Sequence, residues 1–120
     1  MTTQTTHQLR SQRCRACEGE AAKLSEPQAR DLLAALSGWE MDENARQIRK
    51  QWKMKDFATS LDFLRRVGDL AEQEGHHPDV HLTGYRHVAI ELSTHAVDGL
   101  SENDFILAAK IDELPAGEKA

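Results

Sequence analysis

The stretch DFATSLDFLRRVGDLAEQEGHHPDVHLTGYRHVAIELS, residues 56–93, changes its hydrophobic period in mid-course, and that change decides the fold. Over residues 56–74 the apolar side chains Phe57, Leu61, Leu64, Val67 and Ala71 recur at helical spacing, with Phe63 and Leu70 widening the stripe. Gly68 is a poor helix residue by ~1 kcal/mol against Ala, a cost that a close contact with a neighbouring element would explain. Gly75 ends the helix in its favoured C′ role. Pro78 cannot continue it and biases His77 towards extended backbone. The period then falls to two, and Asp79–Leu82 with Arg86–Ser93 reads as a hairpin. A three-residue loop, Thr83-Gly84-Tyr85, aligns Val80 with Val88 and His81 with His87. A two-residue loop would mix the faces, so register favours three, with Gly84 or its neighbour left-handed. Val88, Ile90 and Leu92 then face the core, and His87, Ala89, Glu91, Ser93 and His95 share the opposite parity.

Upstream, Ser25, Pro27 and Gln28 form a helix start with a capping box and a first-turn proline. Leu32, Leu33 and Leu36 supply its apolar face, and Gly38 is expected to end it. Trp39–Met41 reads as a short strand, Asp42-Glu43-Asn44 as a turn, and residues 46–53 as a second strand. Ile48, Trp52 and Met54 fall on one parity, and Gln47, Arg49, Gln51 and Lys53 on the other, as in a strand with one wet face. Downstream, Asp98-Gly99 turns the chain. Ser101 and Asp104 stand at capping-box distance, and Phe105, Leu107, Ala108 and Ile111 form the last apolar face. The expected fold is α+β in the order α-β-β-α-β-β-α: a four-stranded antiparallel sheet with helices packed on one face.

With 120 residues, 39% of them hydrophobic and 29% charged, the chain suits one domain with a modest core. We expect a disordered N-terminal tail over 1–22, the folded domain over 23–114 and a C-terminal tail over 115–120. A net charge of −5 gives no general attraction to nucleic acid or an anionic membrane. No apolar run approaches the ~20 residues of a membrane-spanning helix. The first 17 residues hold Arg10, Arg13 and Arg15 and no acid, but neither an amphipathic face nor a secretory apolar core. The expected compartment is the cytoplasm. Cys14 and Cys17 are the only cysteines. The pair reads as incidental, as a redox pair or as half a zinc site, and only His7 stands near as a further soft ligand. So few cysteines fit a reducing compartment.

Five of the six histidines lie between positions 76 and 95. Imidazole both gives and takes protons near neutrality, so acid–base chemistry and metal binding are both open to the cluster. The His76-His77-Pro78 run lacks the HExxH spacing, none of the five histidines is paired that way on a helix, and the metal-free reading is preferred. His81 and His87 are expected to pair across the hairpin on the wet face, outside any site. Taken singly, Pro78 is a helix stop, Asp104 a helix cap and Glu72 a solvated last-turn residue.

Taken together, the spacing says more. Glu72-x3-His76-His77-Pro78, then six residues to Tyr85, nine to His95 and eight to Asp104, resembles the signature of the pterin-4a-carbinolamine dehydratases. Ser37-Gly38-Trp39, the Lys55-Asp56-Phe57 helix start, Leu92-Ser93-Thr94-His95 and Gly99-Leu100-Ser101-Glu102-Asn103-Asp104 extend the likeness over about residues 24–114. The resemblance implies the same element order. It also implies dehydration of 4a-hydroxytetrahydrobiopterin, or a related pterin, to the quinonoid dihydropterin by metal-free histidine catalysis. No cofactor is implied, because the pterin is the substrate. By motif position His76, His77 and His95 become the acid–base and positioning groups. Pro78 and the backbone of Thr94, Ala96 and Val97 line the pterin site. Trp39 is either an aromatic wall of that site or a core indole. Glu72 and Asp104, with Ser93, orient the imidazoles. The chain departs from many animal members at Gly75, where they carry an acid, at Val97, where they carry a cysteine, and in the spacing to Tyr85. The implied partners are an aromatic amino acid hydroxylase and further copies of the chain, as a homodimer or homotetramer. The alternative is a non-enzymatic binding or dimerisation cofactor for a regulator or hydroxylase.

Overall fold

The computed structural model describes Leu9 and residues 23–115. Most of the segment read as an N-terminal tail, including Cys14 and Cys17, lies outside these residues, as does 116–120 at the C-terminal end. Leu9 itself is fully buried in the main core. The elements are α1 (Glu26–Leu33), β1 (Glu40–Met41), β2 (Ile48–Lys53), α2 (Phe57–Glu74), β3 (Asp79–Thr83), β4 (His87–Leu92), a 3-10 turn (His95–Val97) and α3 (Glu102–Asp112). The α+β order is the one expected. The four strands form one antiparallel sheet in the order β1-β2-β4-β3.

The β2–β4 register sets Ile48 opposite Leu92 and Trp52 opposite Val88. With Ile90, these residues form the buried face of the sheet, and residues of all three helices complete the core. Trp52 stands edge-on to Trp39, 5.9 Å between ring centroids, and 5.1 Å from Phe63. Each such buried side chain contributes about 1.5–3 kcal/mol. The opposite parity, with Arg49, Gln51, Lys53 and His87, lies on the outer face. Among the described residues no helix is long and apolar enough to cross a membrane.

Three expectations need correction. First, α1 stops at Leu33, well before Gly38. The capping box at Ser25 and Gln28 forms as read. At the far end, however, Ala35 and Leu36 donate to carbonyls three residues back, at 3.0 Å each, and tighten the chain out of α geometry. Gly38, at φ 85°, then makes the turn into β1 beneath the Lys50 side chain.

Second, α2 runs as expected from its Asp56 cap to Glu74, but it is rotated about its axis. Ser60, Phe63, Val67, Ala71 and Glu74 face inward, while Phe57 and Leu61 are about half exposed. Ser60 can be buried because its hydroxyl donates to the Asp56 carbonyl at 2.8 Å. Gly68 faces open space, so no close approach explains it.

Third, the hairpin loop has three residues, but they are 84–86. Val80 pairs with Ile90 and His81 with Ala89, and the expected His81–His87 pair does not form. His87 instead stands opposite Thr83 on one side and Lys53 on the other. The cause lies at Arg86. Its guanidinium donates to the carbonyls of Met54 (2.8 Å) and Lys55 (3.3 Å), and its own carbonyl accepts from Met54 N–H. These bonds tie Arg86 to the end of β2 and shift the turn onto Gly84 and Tyr85, both left-handed at φ 53° and 57°. The shift is two residues in pairing, so each side chain keeps its face.

α3 is also more deeply placed than a one-sided stripe suggests. Asn103 through Ala109 and Ile111 are all buried.

Two outcomes follow for α2. Gly68→Ala adds a methyl to open space at an exposed helical site. Its unfolding free energy should rise by up to about 1 kcal/mol, seen as a higher denaturation midpoint at unchanged m-value. The Asp56 carboxyl is held below its ordinary value, chiefly by hydrogen bonds from the Thr59 side chain and then its N–H. A depressed folded-state pKa stabilises above the unfolded value of 3.8 and is lost as pH falls through the folded one. Asp56→Asn keeps the cap and should flatten the stability profile below about pH 3.8 in acid titration of unfolding.

Candidate active site

The site begins where α2 ends. Gly75 adopts φ 67° at the helix cap, and its N–H and that of His76 both turn back to the Ala71 carbonyl. This left-handed step sends the chain out of the helix with His76 pointing inward, 1% exposed. The next residue alternates outward: His77 is exposed, and Pro78 is half-buried at the start of β3.

His76 meets the first turn of α3. Its Nε2 lies 2.6 Å from Asp104 Oδ1, with both side chains inaccessible to water. The other oxygen, Oδ2, accepts from the Thr94 hydroxyl at 2.9 Å and from Ser101 N–H at 3.0 Å. Ser101 Oγ stands 2.8 Å from Thr94 Oγ1, so a hydroxyl chain runs from Ser101 through Thr94 to the carboxylate. An ionised carboxylate acts only as acceptor, so the bond to Asp104 calls for a proton on His76 Nε2.

A second pair lies outside. His77 Nε2 is 2.5 Å from Glu72 Oε2, one turn back on α2, and both groups are solvated. Each adjacent histidine thus has its own carboxylate, one dry and one wet.

His95 is placed by the loop after β4. Thr94 and Gly99 close this loop with N–H···O bonds of 2.7 and 3.4 Å. The 3-10 turn they enclose exposes His95 and Ala96 and leaves Val97 half-buried. Asp98 completes it at φ 51°, donating to the His95 carbonyl. The hydroxyl of Thr94 reaches the carboxylate that holds His76, so the loop bearing His95 is anchored in the same network. Ser93, just before it, is half-buried.

The structure therefore joins His76, Thr94 and Asp104, joins His77 to Glu72, and exposes His95 one residue after Thr94. Trp39 is tied to the last turn of α3. Its indole N–H donates to Asp112 at 3.0 Å, and Asp112 also holds Lys50 at 2.9 Å. Asp112 lies eight residues beyond Asp104 on α3, a rise of ~12 Å. Trp39 is buried in the core cluster. His81 bonds Glu91 at 3.0 Å, and His87 lines a concavity on the outer sheet face with Arg49, Gln51, Lys53 and Thr83. Among the described residues no group of three or more His, Cys, Asp or Glu side chains is placed to hold a metal.

Two members escaped sequence reasoning. Ser101 was legible only as a cap, and Thr94 only as lining backbone. The three-residue step from Ser101 to Asp104 was visible, but the contact with Thr94 spans two elements and has no local signature.

A buried acid–base network on an α+β scaffold defines a class of site, and comparison with known proteins narrows it. The family model "Pterin 4 alpha carbinolamine dehydratase" matches residues 22–114. A protein of Arabidopsis thaliana named pterin-4-alpha-carbinolamine dehydratase 2, mitochondrial, is 47% identical over 109 residues, covering 88% of this chain and 58% of that protein. A putative pterin-4-alpha-carbinolamine dehydratase of Halorhodospira halophila is 42% identical over 90% of this chain and 98% of its own length. A crystal structure titled transcriptional coactivator/pterin dehydratase, from Brucella melitensis, superposes with a TM-score of 0.70 at 32% identity, over 76% of this chain and 96% of that one. A pterin dehydratase-like protein described as a RuBisCO assembly factor in the alpha-carboxysome gives a TM-score of 0.56 at 25% identity, over 69% and 94%. The chain belongs to the pterin-4a-carbinolamine dehydratase family, a family of hydro-lyases.

Thr94→Val would remove one donor from Asp104 and strand the Ser101 hydroxyl in a buried place. Chemical denaturation should show a loss of about 1–3 kcal/mol. A variant as stable as the wild type would mean that the hydroxyl chain does not hold the carboxylate.

Proposed function

We propose that the chain dehydrates a 4a-hydroxytetrahydropterin, 4a-hydroxytetrahydrobiopterin or a close relative, to the quinonoid dihydropterin and water. The C4a–O bond breaks as the leaving oxygen takes a proton. The N5 lone pair forms the C4a=N5 bond, and N5 gives up its own proton. One proton enters and one leaves, so a pair of imidazoles can carry the reaction and return to its starting state without a redox partner or cofactor. The observation that carries this reading is the two carboxylate–imidazole pairs, His76–Asp104 and His77–Glu72, the first tied through Thr94 to the loop that exposes His95.

In this reading His77 and His95, the two exposed rings, exchange protons with substrate. His76, held by Asp104, is the imidazole nearer the pterin ring. Pro78 and the turn from Thr94 to Val97, with Ala96 at its exposed tip, line the pterin. Glu72 and Asp104 orient their imidazoles, and Ser93 supports the loop. We further propose tetrahydrobiopterin recycling beside an aromatic amino acid hydroxylase, a homodimer or homotetramer, and a cytoplasmic location. The mitochondrial name of the Arabidopsis relative makes the compartment a matter for direct localisation.

The Brucella and carboxysome titles favour a second reading, a binding or assembly role. The retained histidines separate the two, because a pure binding module does not need them.

The test generates the carbinolamine with a hydroxylase and follows its absorbance decay. Wild type should accelerate the decay. His76→Ala, His77→Ala and His95→Ala, checked for folding, should each lose about 10²-fold or more. Activity should survive chelation. Equal decay with and without protein overturns the enzymatic reading, and loss on chelation with recovery on zinc or iron overturns the metal-free mechanism.

A further inference from the structure

Two residues before His76, the last residue of α2 is a buried carboxylate. Glu74 Oε2 lies 2.7 Å from Lys110 Nζ on α3, with side chains 6% and 16% exposed. Local energetics do not favour this placement. A carboxylate in the last turn faces the negative end of its own helix. Taking both charges out of water costs several kcal/mol per ion, and an apolar pair of the same size would hold the two helices as firmly. Stability alone therefore leaves the pair unexplained.

Its position does not. Gly75, between Glu74 and His76, is left-handed, and nothing stands within 4 Å of where its Cβ would be. The N–H groups of Gly75 and His76 close the turn on the Ala71 carbonyl. The end of α2 is further gripped on both sides of the glycine, by Glu74–Lys110 before it and His76–Asp104 after it. The two α3 partners are six residues apart, a rise of ~9 Å. An apolar contact at the first grip would tolerate sliding of one helix over the other. A short charge-assisted bond tolerates much less.

We propose that Glu74 and Lys110 are positioning residues: their ion pair sets the turn at Gly75 so that His76 Nε2 stays aligned on Asp104. The proposal rests on the reading of His76 as a functional group in the dehydration, and its test has a readout independent of turnover.

That test is Glu74→Leu/Lys110→Met, which removes both buried charges together and avoids an orphaned ion. Glu74→Asp is the second variant, keeping the charge and shortening its reach by one methylene. The first readout is the downfield proton resonance of His76 Nε2–H, assigned by its loss in His76→Gln. It should shift or broaden in both variants. The second is kinetic: kcat should fall about 10-fold with KM within about twofold, as expected when a reacting group is misplaced and binding is kept. Lys110→Arg, which retains the charge, should recover most of kcat. Either readout unchanged in a folded variant overturns the proposal. If wild type shows no dehydratase activity, the reading of the reaction fails, and the resonance alone decides whether the pair positions His76.

Discussion

Asp104 is a carboxylate with no access to water, and its hydrogen bonds hold together the parts of the molecule that matter for chemistry. An unsatisfied charge at such a depth would cost several kcal/mol. The chain meets that demand with groups from three separate places: the turn after α2, the loop after β4 and the cap of α3. None can move far without leaving the carboxylate short of a donor. The same group thus caps a helix, anchors a loop and fixes the tautomer of His76.

The division of labour among the histidines follows from this arrangement. Successive residues on extended backbone point to opposite sides, so His76 goes to the dry carboxylate and His77 to the wet one. The third imidazole comes from a 3-10 turn whose base is closed by Thr94 and Gly99 and whose first side chain is tied to Asp104. A rigid base with exposed tips suits proton exchange with a small ring compound. The outer sheet face, with His81 and His87, takes no part in this network.

Much of the fold was legible because it rests on short-range rules. The Ser25 and Ser101 caps, the Gly75 stop and the period-two strands each express a local backbone preference. The errors arose where a distant group outweighed a local one. The hairpin loop moved by one residue because Arg86 bonds the end of β2. The inward face of α2 differs from the most apolar stripe because the helix packs on the whole core, and Ser60 can lie on that face because its hydroxyl bonds the Asp56 carbonyl. The bond from the Trp39 indole to Asp112 joins residues 73 apart and has no local signature.

The candidate site divides in the same way. Sequence alone determined the element order and the faces of the strands, which depend on periodicity, and the resemblance carried by its spacing singled out His76, His77, His95, Glu72 and Asp104 as the candidate set. Only the tertiary structure decided which histidine is buried, which carboxylate each one meets, that Thr94 and Ser101 complete the network, and that Glu74 pairs with Lys110. Those contacts join residues from different elements. Their existence depends on helix rotation and strand register, quantities set by packing of the whole core and not by any stretch of chain taken alone.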